Sequence, residues 1–180
     1  MPAGAVVLVV VFSYSLYVTL RYDALMLKPD TRILAREWVF EHVPDGAGVY
    51  TDARYFDLPK SKDSIIFYSA ELPTALRTKD EVALTLQGDA FPRPAYFVVD
   101  SQYVSQLGNK TPRYSYIVAG FSRLEERMQI PAGFTLVQTY YPQPPQEPLD
   151  DLLLAPNHIF TSVGKYTNLG PHIEIYKRVE

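Results

Sequence analysis

The first twenty residues, MPAGAVVLVVVFSYSLYVTL, contain no charged side chain, and Arg21 is the first to end the run. At about 1.5 Å rise per residue, twenty helical residues span roughly 30 Å, the thickness of a bilayer's hydrocarbon core. A buried strand can be as rich in valine, but such strands stop at about eight residues. A secretory signal would carry a positively charged leader and a small-residue cleavage site after its apolar run, and neither is present before Arg21. Residues 1–22 are therefore expected to form a transmembrane helix. Ser13, Tyr14, Ser15, Tyr17, Thr19 and Tyr22 gather at its C-terminal end, as at a headgroup boundary. Arg21, Lys28, Arg32 and Arg36 all lie C-terminal to the span, and by charge bias alone they favour a cytoplasmic position for the rest of the chain. Only four residues precede the valine-rich segment, so two readings stand: Met1 is the cut end of a longer chain with further membrane helices upstream, or it is a native start.

About 150 residues lie beyond the span, enough for one domain with its own core, expected over 23–180. The formal net charge of -3, a pI near 5.6 and the absence of any Lys/Arg-rich run exclude an electrostatic footprint for nucleic acid. No cysteine is present, which removes disulfides, thiolate metal sites and cysteine nucleophiles together. Fourteen tyrosines and nine phenylalanines suit a domain at a membrane interface or against a sugar.

Downstream, Asp30 or Thr31 is a good N-cap, and Leu34, Ala35, Trp38, Val39 and His42 recur at helical spacing before Pro44, Asp45 and Gly46 stop the helix. "GVYTD" reads as a strand, Gly48 to Asp52. "SIIFYSA" is a strand or a buried turn, and "TKDEVALTLQG" has Thr78 and Glu81 in capping-box spacing. "PAYFVVDS" is an apolar run typical of a strand covered on both faces. A helix is expected within "SRLEERMQI", then strands at "GFTLVQTYY" and "HIEIYKRVE", the last two pairing antiparallel at one edge. The order predicts one layered α/β domain with a mixed, partly parallel sheet, preceded by one transmembrane helix. Ile33 and Phe40 fall on the side of their helix opposite the apolar stripe, and are candidates for contact with the membrane surface or with other helices of the same protein.

The order "DTRILAREWVFEHVPDGAGVYTD", "RPAYFVVDSQY", "GFTLVQTYYP" and "GPHIEIYKRV" resembles the C-terminal soluble domain of polytopic membrane glycosyltransferases. These are the dolichyl-phosphate-mannose protein mannosyltransferases and the bacterial lipid A aminoarabinose transferases. The resemblance covers roughly Asp23 to Val179 and has a terminal membrane helix in the matching place. It implies sugar transfer from a polyprenyl phosphate to an acceptor, and a cell membrane, bacterial inner membrane location with this domain on the extracytoplasmic side, against the charge bias. It also implies membrane lipid, upstream transmembrane helices and a polyprenyl-phosphate sugar as partners. The family's catalytic acid lies in the first extracytoplasmic loop of a longer chain and has no counterpart here. No catalytic residue carries over, and the chain alone is expected to be inactive and accessory. The other reading is a free-standing, single-span α/β module that binds a ligand or protein.

Other chemistry is sparse. His42, His158 and His172 are scattered without metal-ligand spacing, Asp150 and Asp151 read as a helix N-terminus, and "PPQEP" reads as a stiff linker. There is no GxSxG elbow and no phosphate-binding glycine loop, and no metal or cofactor is expected. "NKT" at Asn109 is a three-residue sequon that recurs by chance. In open α/β sheets ligands gather beyond the carboxyl ends of parallel strands. If Gly48–Asp52 and Ala95–Val99 are parallel, Asp52, Arg54, Tyr55, Asp100 and Tyr103 share one edge, where Arg54 would pair with a phosphate and the tyrosines would stack on a sugar. The competing reading has the two aspartates capping turns, Arg54 paired with one of them, and the tyrosines packing.

Overall fold

The uncharged run forms one continuous helix, α1, over Ala3–Met26, about 36 Å long at helical rise. The structure is a computed structural model that describes residues 3–52, 54–72, 93–122, 126–142 and 166–179. Leu8, Val9, Val10, Val11, Phe12, Leu16 and Leu20 of α1 are exposed, and the helix is long and apolar enough to cross a membrane. Its last two turns behave differently. Val18 and Leu25, seven residues apart, are buried against Tyr166 and Leu169, with Tyr22 alongside. Arg21 Nη2 donates to the Tyr166 carbonyl at 3.0 Å, and just past the helix Lys28 Nζ donates to the Thr167 carbonyl at 3.0 Å. Two of the four cations that bear on membrane topology thus bond the domain itself.

Helix α2, Thr31–His42, starts where Asp30, in extended conformation, accepts the Arg32 amide through Oδ1 at 2.8 Å. Ala35 and Val39, with Val43 just beyond the helix, are buried against the sheet, while His42 stacks on Trp38 with ring centroids 4.5 Å apart. The His42 Nδ1 lies 2.9 Å from the Trp38 carbonyl, in the last turn where an imidazole complements exposed carbonyls. Thr31 is tied to the C-terminal segment: its amide donates to Leu169 and its hydroxyl to Pro171. Gly170 sits beside this junction at φ +109, and a Cβ there would collide with the Thr31 hydroxyl and the Asp30 carboxylate. Gly170→Ala is expected to lower stability by about 2 kcal/mol in urea unfolding, through backbone strain and loss of the α2 cap.

The five-stranded sheet has the order β2-β1-β3-β5-β4, with β1 at Gly48–Thr51, β2 at Phe97–Asp100, β3 at Tyr116–Phe121, β4 at Phe134–Tyr140 and β5 at His172–Arg178. β2, β1 and β3 are parallel; β5 runs antiparallel to both β3 and the edge strand β4. The protein is α/β with a mixed, partly parallel sheet. Val49, Val98, Val118, Ile173 and Ile175 meet α2 on one face. On the other, Ile117, Ala119 and Tyr176 pack with Tyr50, Tyr114, Met128, Ile130 and Phe134.

Three local expectations change. "SIIFYSA" lies in a helix, α3, Lys62–Glu71, whose cap Ser61 accepts the Ser64 amide at 3.2 Å. Ser64, Ile65 and Tyr68 form its buried side, the Ser64 hydroxyl donating to the Val98 carbonyl of β2. β3, at the centre of the sheet, is a strand that the sequence pattern leaves unassigned. Among the described residues of "SRLEERMQI" there is no α-helix: Glu126 is in a 3-10 turn and 127–130 lie across the sheet face without regular structure. "TKDEVALTLQG", "PPQEP", Asp150, Asp151 and His158 lie outside the described residues.

Candidate functional site

β1 and β2 are parallel and in register, Thr51 pairing with Asp100, so both strands deliver their carboxyl ends to one edge. Asp52, Arg54, Tyr55, Asp100 and Tyr103 meet there, but they divide into two groups with different duties.

Asp100 caps α4, Ser101–Leu107, its Oδ1 accepting the Gln102 amide at 3.1 Å and its Oδ2 the Gln102 side-chain amide at 3.0 Å. Tyr103 is half-buried and packs on Tyr68, ring centroids 5.7 Å apart, beside Leu107. The Tyr68 hydroxyl meets the Asp100 amide at 3.2 Å, so this half of the edge is fixed by its own fold.

Asp52, Arg54 and Tyr55 form the other group. Asp52 Oδ1 accepts the Arg54 amide at 3.0 Å, and its carboxylate takes the guanidinium through Nε at 3.1 Å and Nη2 at 2.6 Å. Burial pushes the Asp52 carboxyl up, but the Arg54 hydrogen bonds and charge outweigh it and hold the group below its ordinary range. Arg54, hydrogen-bonded to Asp52, is raised in turn. The Tyr55 hydroxyl donates to Glu126 Oε2 at 2.6 Å, and its side chain lies against Gly120 of β3, where a Cβ would collide with it. Tyr55 is thereby held as a wall.

That wall bounds a cleft of about 240 Å³ between the N-terminal turns of α2 and the segment after β1, lined by Arg32, Ile33, Arg36, Arg54, Tyr55, Phe56 and Asp57. α2 leads directly into β1, which brings the α2 N-terminus to the carboxyl edge of the sheet. Asp30 repeats the Asp52 geometry: Oδ1 accepts the Arg32 amide at 2.8 Å, and the carboxylate holds the guanidinium at 2.9 and 2.7 Å. Burial raises Asp30, and the Arg32 hydrogen bonds and charge more than reverse it. "DTR" and "DAR" are thus the same device on opposite sides of one cleft. Sequence reasoning treated Arg32 and Arg36 only as topology charges; the repeated Asp-x-Arg pattern, with a second arginine one helical turn on, is the signal that marks them.

Ile33 lines the cleft at 39% exposure, and Phe40, 38% exposed, stacks on Tyr96 with centroids 6.3 Å apart. Changing both to serine is expected to shift the melting temperature by less than about 8 °C, since partly exposed contacts are worth less than a core loss in a domain this size. Weaker association with liposomes is the accompanying expectation. A larger melting drop would make them core residues.

A second polar cluster lies on the β5 face away from α2. Glu174, 2% exposed, accepts Arg127 Nε at 3.0 Å and Nη2 at 2.8 Å, the Tyr176 hydroxyl at 2.6 Å and the Tyr141 hydroxyl at 3.1 Å. His172 is wedged between Phe121 and Tyr141 at 5.4 and 4.7 Å, and its Nε2 has no hydrogen-bond partner among the described residues. Burial draws its pKa down to about 4, Glu174 opposing only in part. Among the described residues no cluster of His, Cys, Asp and Glu has the makings of a metal site. No family model, curated protein or solved structure matches the chain.

Proposed function

We propose that this chain is the C-terminal, membrane-anchored part of a glycosyltransferase that moves a sugar from a polyprenyl-phosphate donor to an acceptor. The α/β domain stands on the extracytoplasmic side as an accessory unit, covering the active site or holding donor or acceptor. The observation that carries this reading is the joint between α1 and the domain. Val18 and Leu25 pack on Tyr166 and Leu169, and Arg21 and Lys28 bond domain carbonyls, so the end of the helix is tied to the domain. A domain tied to its membrane helix in this way would keep its open sheet edge close to the bilayer, as work on a lipid-borne donor requires. The four ordered segments of the sequence agree with this reading, and the acid that would catalyse the transfer belongs to another part of the enzyme.

The test is transfer of a radiolabelled sugar from a synthetic polyprenyl-phosphate sugar, in proteoliposomes carrying the whole gene product with and without the domain. Transfer by the whole product, reduced at least about tenfold without the domain, is expected. In the same assay Arg54→Ala raises KM for the donor with little change in folding, whereas Tyr103→Ala acts on stability through its packing on Tyr68. A gene product with no further membrane spans, or one that transfers no sugar from such donors, contradicts the reading.

A further inference from the structure

We infer that the cleft between α2 and the β1–α3 segment is a binding site for a phosphoryl group. Three guanidiniums, Arg32, Arg36 and Arg54, line it together with one carboxylate, Asp57, while Asp30 and Asp52, the partners of Arg32 and Arg54, stand outside the lining. Two of the three are held in place. Asp30 and Asp52 each grip the arginine two residues on by its amide and by Nε and Nη2, which fixes the side chain while leaving Nη1 outside the pair. Arg36, one helical turn after Arg32, has no ion-pair or hydrogen-bond partner among the described residues, and so brings an uncommitted guanidinium. Arg32 and Arg36 enter from the first turns of a twelve-residue helix, an end whose dipole also favours an anion.

The chemistry and the size of the cleft narrow the ligand. One or two guanidinium forks saturate a carboxylate, whereas three donors approaching from two walls match the tetrahedral oxygens of a phosphoryl group. At about 240 Å³ the cleft falls below the roughly 300–1,000 Å³ of pockets that enclose drug-sized ligands. A phosphoryl group fits within it. The apolar wall of Ile33 and Phe56 gives the ester side of the phosphate a surface to rest on. Position bears on the source. Arg32 comes six residues after the end of α1 at Met26, at most about 20 Å of chain, so the cleft opens within reach of a lipid headgroup.

The experiment uses the full chain in phosphatidylcholine nanodiscs, with NMR of the arginine Nε–H signals. One series is titrated with inorganic phosphate, and a second is prepared with 10 mol% phosphatidic acid. Shifts of the Arg32, Arg36 and Arg54 signals are expected, with at least about a fivefold loss of phosphate affinity in the Arg32→Gln, Arg36→Gln double variant. Shifts confined to the phosphatidic acid series identify a lipid phosphate, and shifts confined to inorganic phosphate identify a free one. Both support the site. No shift in either series overturns it, and so does an equal loss in Arg93→Gln, whose guanidinium pairs with Asp45 at the opposite end of β1. Phosphate binding here requires no glycosyl transfer, so failure of the NMR test leaves the transfer assay standing, and the reverse also holds.

Discussion

Arg127→Ala should lower the stability of the chain by about 3 kcal/mol, the low end of what is lost when one partner of a buried ion pair is removed. Glu174 is the reason. Its carboxylate is 2% exposed in a strand between two others, and Arg127 supplies two of its hydrogen bonds at 2.8 and 3.0 Å. Tyr141 and Tyr176 still donate after the substitution, and the arginine side chain is itself about half exposed, which keeps the loss from being greater. Urea unfolding of the full chain in detergent micelles measures it. The paired substitution Arg127→Met, Glu174→Met should recover most of the loss, because removing both partners leaves no stranded charge. A loss below about 1 kcal/mol in Arg127→Ala, the range of an exposed pair, would show that water reaches Glu174.

The second large effect is one of pH. His172 is 4% exposed and its pKa is drawn down to about 4 from the ordinary 6.5, with Glu174 and Tyr141 the titratable groups closest to it. Between those values the unfolded chain binds a proton that the folded one refuses, so stability rises with pH. The contribution is complete above about 6.5, declines as the pH falls, and is gone at about 4. At about 1.4 kcal/mol per pKa unit this amounts to roughly 3 kcal/mol. Asp30 and Asp52 act in a lower window, because their pKa values are lowered on folding and their contribution is lost only as the pH falls below the ordinary 3.8. Unfolding curves at pH 7 and pH 4.5 should differ by at least about 2 kcal/mol, and most of that difference should vanish in His172→Phe. Equal pH dependence in the variant would assign the slope to other groups.

Much of the fold is legible where local signals agree with tertiary structure. α2 carries a cap, an apolar stripe and a stop, and the structure uses each of them. β4 and β5 carry strand-forming residues, Phe134, Val137 and Tyr140 in one and Ile173, Ile175 and Tyr176 in the other, with turn residues around them. α3 is harder because Ile65, Ile66, Phe67 and Tyr68 favour a strand locally; the Ser61 cap and burial of one side against β2 decide for helix. β3 is obscured by Gly120, which reads as a break in "YIVAGF". The glycine is there because Tyr55 lies against it, a contact between residues 65 positions apart that no local pattern reveals. The site divides in the same way. Strand-end logic brings Asp52, Arg54, Tyr55, Asp100 and Tyr103 to one edge, but it does not foresee that α4 claims Asp100 as its cap. Arg32 and Arg36 join Arg54 only once α2 is laid beside β1.

Alkaline carbonate extraction tests the central claim most directly, that α1 crosses the bilayer and carries the α/β domain on its surface. The full chain expressed in bacteria should remain in the membrane pellet. Val9→Lys and Val11→Lys together place two charges in the apolar stretch, at a cost of about 2.5–3.5 kcal/mol each at mid-bilayer, and should release the chain to the supernatant with the domain still folded. Release of the unaltered chain by carbonate, or retention of the lysine variant to the same extent, would contradict a spanning helix and with it the placement of the cleft at the membrane.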